Sequence, residues 1–100
     1  MKLIFKETAV DDILSSQRYI ANQLHNPAAA EKLAYEIYNA ALLICENPYM
    51  GARLSEKYEL DTDMRYFTVA RHLIFYRVTD ERICVLRVID GRQDYLSILF

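Results

Sequence analysis

MRYFTVARHLIFYRVTDERICVLRVIDGRQDY, residues 64–95, reads as three successive β-strands. Its apolar positions are mostly β-branched or aromatic: Tyr66 to Val69, then Ile74, Phe75, Tyr76 and Val78, then Ile83, Val85, Val88 and Ile89. Such side chains suit a pleated, half-buried surface. The middle run, His72 to Val78, is apolar at nearly every position, which predicts the central strand. Six of the twelve Lys and Arg lie here, Arg65, Arg71, Arg77, Arg82, Arg87 and Arg92, against four acids from residue 64 onward. That C-terminal part carries +2 and the remainder −4, for a net charge of −2.

Upstream of these strands, the chain supplies what covers a sheet. Lys2 to Lys6 predicts a short strand whose pairing partner is not readable. Thr8 and Asp11 have the spacing of a capping box, so a helix is expected from Thr8, with Val10, Ile13, Leu14, Ile20, Ala21 and Leu24 on one face. Asn26-Pro27 ends it and starts a second helix, which runs to Glu46 before Asn47-Pro48; together they form an antiparallel hairpin. On the second helix Ala30, Leu33, Ile37, Ala41 and Ile44 make a core stripe. A second apolar stripe, Tyr35, Tyr38, Leu42 and Cys45, leaves little polar face. Either the first helix and the sheet enclose it, or its tyrosines meet a partner. Residues 47–63 are expected to be irregular, and the apolar tail from Tyr95 to Phe100 to dock. Helices followed by strands indicate α+β, one domain over residues 1–100, with the hairpin on a mainly antiparallel sheet.

Composition narrows function more by exclusion. A hydrophobic content of 53% with 26% charged residues is that of an ordinary globular chain, and −2 argues against a general nucleic-acid binder. No run of 18 apolar residues suggests a membrane span, and the start MKLIFKETAV has too short an apolar run for a signal peptide, so a cytoplasmic location is expected. Cys45 and Cys84 read as small buried hydrophobes, and His25 and His72 as surface or hairpin residues without a nucleophile beside them. Asp11-Asp12 fits a helix N-terminus. No metal site, phosphate-binding loop or cofactor is indicated. The arginines are the one concentration of chemistry, suited to bidentate pairing with carboxylates or phosphates. Strand parity does not allow all of them one patch.

Leu73-Ile74-Phe75-Tyr76-Arg77-Val78, followed by Leu86-Arg87-Val88 and Gly91-Arg92 behind a strand and a helical hairpin, resembles the RelE/ParE superfamily of type II toxin–antitoxin toxins. The likeness is greatest to the ParE branch, although Asp90 stands where that branch often has His, and Gln93 where it often has a second Arg. The resemblance implies a toxin neutralised by a cognate antitoxin protein, binding and poisoning DNA gyrase without chemistry of its own. A homodimer is compatible with it; membrane association and sequence-specific nucleic-acid binding are not expected. On this reading Arg65, Arg71, Arg87 and Arg92 meet the target, and Tyr35, Tyr38 and Leu42 the antitoxin. The RelE branch cleaves messenger RNA on the ribosome. Its cationic positions fall on Met64, Tyr66, Leu73 and Gln93 here, and its C-terminal tyrosine near Leu99, leaving Arg65, Arg87, Arg92 and Tyr95 as the substitutes for a ribonuclease. A toxin-derived module that only binds its partner is the third alternative.

Overall fold

A computed structural model describes residues 1–100. Strand β1 (Lys2–Phe5) leads into helix α1 (Glu7–Arg18), a π-helical turn (Tyr19–Gln23) and helix α2 (Pro27–Glu46). Then come β2 (Ala52–Arg53), α3 (Leu54–Tyr58), β3 (Arg65–Val69), β4 (His72–Thr79), β5 (Arg82–Asp90) and α4 (Tyr95–Leu99). The sheet order is β1-β5-β4-β3-β2, antiparallel except for β1, which lies parallel to β5 with Lys2 opposite Arg82 and Phe5 opposite Val85. The architecture is thus α+β with a mixed sheet. No helix is long and apolar enough to cross a membrane.

Central position explains why β4 reads as an unbroken apolar run. Ile74 and Tyr76 face the hairpin, in a cluster with Leu33, Ile37, Ala41 and Ile44 of α2 and Ala9 of α1. Leu73 and Phe75 face the other way, with Leu54, Met64 and Ile89, under Tyr58 of α3 and Tyr95 and Leu99 of α4. The helical hairpin was expected to cover one face and the tail to dock; α3 and the tail's α4 together supply a second, smaller cover on the other face. Residues 47–63, expected to be irregular, hold both β2 and α3, and neither is longer than five residues.

Helix boundaries follow local chemistry. The Asn26 side chain accepts the Ala29 N–H at 3.1 Å with Pro27 in the first turn, and Asn47 closes α2. All five residues of the expected core stripe of α2 are buried. At α1 the cap is Lys6, two residues before the expected Thr8. The Lys6 N–H still belongs to the sheet, donating to the Val85 carbonyl at 2.9 Å, and the Lys6 carbonyl starts the helix by accepting from Ala9 at 2.9 Å and Val10 at 3.1 Å. Thr8 is therefore free to donate its hydroxyl to the Leu86 carbonyl at 2.8 Å.

Only part of the expected α1 face is covered. Ile13 and Ile20 pack on the core, whereas Val10, Leu14 and Leu24 are exposed. Cys45 and Cys84 are half-buried free thiols rather than fully buried. His72, expected at the surface, is buried, with Nδ1 3.1 Å from the Ala70 carbonyl and Nε2 3.2 Å from Ser16 Oγ.

Candidate functional site

A bulge in β5 builds the first part of the site. Phe75 faces Arg87 and Tyr76 faces Val85, so Leu86 is an extra residue. An extra residue takes backbone groups out of the ladder and re-aims side chains. Val85 and Val88, three apart, consequently reach the same cluster. Side chains of α1 satisfy the displaced backbone: Thr8 takes the Leu86 carbonyl, and Asp12 Oδ2 accepts the Val88 N–H at 2.9 Å. Asp12 also holds Arg87 by two bonds, Nε to Oδ2 at 2.7 Å and Nη2 to Oδ1 at 2.8 Å. These bonds push the Arg87 guanidinium above its usual range, and burial partly opposes them.

The second part lies where β4 begins and β5 ends. Asp90 Oδ1 accepts the Arg92 backbone N–H at 2.8 Å, and its carboxylate holds the Arg92 Nε and Nη2 at 3.0 and 2.8 Å. The Arg92 side chain is the main cause that brings the Asp90 pKa down to about 2. Between these two residues, the Gly91 N–H donates to the Arg71 carbonyl at 2.8 Å, and a Cβ on Gly91 would come within 2.9 Å of Leu73 Cδ1. The β3–β4 turn carries Ala70 and Arg71 at φ of 48° and 66°, so Arg71 does not share a strand face with Arg65.

Arg71, Arg87 and Arg92 come together along one cleft of 710 Å³ between α1, the π-helical turn and this end of the sheet. Tyr19, Ile20, Leu24 and Ile98 give it apolar walls, Asp12 and Asp90 its two carboxylates, and His72 part of its lining. The Leu24 N–H reaches back five residues to the Tyr19 carbonyl at 3.3 Å. Single π turns of this kind recur at functional sites.

Arg65 lies elsewhere. Its Nη1 donates to the Gly51 carbonyl at 2.7 Å and the Tyr49 carbonyl at 3.3 Å, with the guanidinium 4.9 Å from the Tyr49 ring centre. Tyr95 is also apart from the cleft: its hydroxyl bonds that of Tyr58, its ring lies 5.4 Å from Phe75, and Lys57 Nζ donates to it at 3.5 Å. Lys57, also 5.3 Å from the Tyr58 and Tyr66 ring centres, was not singled out in the sequence. Its ammonium is held more firmly than usual, chiefly by the Tyr95 bond. Neither was Asp12 singled out as an arginine partner. Tyr35, Tyr38 and Leu42 stand exposed on α2, and Tyr38 borders an apolar groove with Phe5, Val10, Ile13 and Leu14. No three His, Cys, Asp or Glu lie close enough to hold a metal.

Comparison with known proteins agrees with this architecture. The family described as "ParE toxin of type II toxin-antitoxin system, parDE" matches residues 3–95. A solved structure, "Chromosomal ParDE TA system from P. aeruginosa", superposes with a TM-score of 0.74 at 21% identity, covering 90% of this chain and 95% of that one. No curated protein matches in sequence.

Proposed function

This chain belongs to the ParE toxin family of type II toxin–antitoxin systems, and from that premise we propose that it arrests growth by binding DNA gyrase, without cleaving RNA. One observation carries the choice. Of the positions where a RelE-type ribonuclease keeps its cations, Met64 and Leu73 are buried in an apolar cluster and Tyr66 is half-buried beside Lys57. Phosphate cleavage needs cations and a proton acceptor at the scissile group, each worth orders of magnitude in rate. A binding poison needs a rigid surface with arginine anchors. Arg71, Arg87 and Arg92 supply it, while Arg65 is spent on holding the carbonyls of Tyr49 and Gly51, away from the cleft.

The antitoxin, on this reading, covers the apolar groove between α1 and α2 and the tyrosines beside it. The ribonuclease alternative retains one favourable observation, the Lys57 ammonium beside the Tyr58–Tyr95 hydroxyl pair. Two assays separate the readings: gyrase supercoiling with purified protein, expected to be blocked, and transcript integrity in arrested cells, expected to be preserved. Unimpaired supercoiling with codon-phased transcript cleavage overturns the proposal.

A further inference from the structure

We infer that the arginine cleft receives a segment of a partner protein that presents carboxylates among aliphatic side chains. The inference rests on the reading that these arginines meet a target, and does not require the target to be gyrase. Two guanidiniums flank one backbone clamp, Gly91 N–H to Arg71 carbonyl, which ties the β3–β4 turn to the turn after β5. Arg92 is aimed by Asp90, which uses its Nε and one Nη2 hydrogen. Of the five guanidinium hydrogens, three remain for an incoming acceptor. Arg71 is exposed and enters no ion pair within the chain.

The walls decide which anion. Tyr19 is 54% exposed, Leu24 57% and Ile98 39%, an apolar surface that a sugar–phosphate backbone does not cover. Three guanidiniums face two carboxylates around the cleft in a chain of net charge −2, whereas nucleic-acid sites depend on a strong basic excess. A peptide with Asp or Glu interspersed with Leu or Ile satisfies both: its carboxylates pair with Arg71 and Arg92, and its aliphatic groups cover Tyr19, Leu24 and Ile98.

The test is a dodecapeptide array of random sequence probed with the full-length chain, with and without a short DNA duplex as competitor. Bound peptides should be enriched in Asp and Glu separated by Leu and Ile. Arg71→Asn, chosen because Asn tolerates positive φ, and Arg92→Gln should each weaken their capture about tenfold. Arg18→Gln, an exposed arginine outside the cleft, should not. No acidic enrichment, equal loss with Arg18→Gln, or displacement of all bound peptide by the duplex would each overturn the inference. If supercoiling is untouched while the array result holds, gyrase is the wrong target and the ligand class stands.

Discussion

Asp12 shows how much one side chain can organise, since its two oxygens serve three donors of β5. Asp12 is 15% and Arg87 28% exposed at the side chain, so the pair is incompletely screened by water. Asp12→Ala strands the guanidinium and the Val88 N–H, and should lower unfolding free energy by about 2 kcal/mol, read as a shift in denaturant midpoint at constant slope. Arg87→Ala strands Asp12 instead and should cost a similar amount, so its loss of toxicity would not separate binding from folding. Arg71 and Arg92 are the cleaner probes. The Asp90–Arg92 pair gives a pH prediction. The Asp90 pKa is depressed from 3.8 to about 2, so its stabilisation is complete above 3.8 and disappears as pH falls through 2. Carboxyl NMR titration should find a midpoint near 2 that moves up towards 3.8 in Arg92→Gln. Nothing local in the sequence distinguished Asp12 from Asp11, because the partner that defines its role lies 75 residues away. The Arg92–Asp90 pair is only two residues apart, yet its value for the site depends on Arg71 in the β3–β4 turn.

At the scale of elements, those with strong periodicity or paired cap signals were legible: α2 from Asn26 to Asn47, and the run β3-β4-β5. Short ones were not. A two-residue β2 and five-residue α3 have too few positions to show a period, and their form is imposed by β3 and by burial of Leu54. The docked tail was legible as apolar surplus, although its side chains divide: Tyr95 and Leu99 pack with Phe75, Ile98 borders the cleft and Phe100 is exposed. Removing residues 95–100 uncovers Phe75, and losing about 1–2 kcal/mol of partial burial should lower Tm by roughly 5–10 °C. An unchanged Tm would refute the docking role. The apolar surplus on α2 has the opposite outcome. Tyr35 is 70%, Tyr38 52% and Leu42 42% exposed, so neither α1 nor the sheet encloses that stripe. Tyr38→Glu should weaken antitoxin binding by tenfold or more in calorimetry while leaving the melting curve in place. Equal affinity would move the antitoxin contact off this face.

For the whole molecule, the α+β class was readable from the order of helices and strands, but the mixed character of the sheet was not. A parallel pairing needs no turn and leaves no local mark, so only the structure places β1 beside β5. That placement has a consequence for the chain during its synthesis. Lys2 pairs with Arg82, eighty positions later, and at about 5–20 residues per second the first strand waits roughly 4–16 s for its neighbour to be made. Until then Leu3 and Phe5 have no sheet to join, and neither the bulge that holds Asp12 nor the Arg71–Gly91 clamp exists. The cleft is therefore absent from the nascent chain until β5 and the turn after it have been made. Chains stalled before Arg82 should be cut rapidly within residues 1–46 by a trace of protease, and the completed chain should resist. Equal resistance in the stalled chain would mean that the hairpin holds without its sheet. A cleft that closes only with the last strand of the sheet gives any partner the synthesis of the preceding eighty residues in which to be ready.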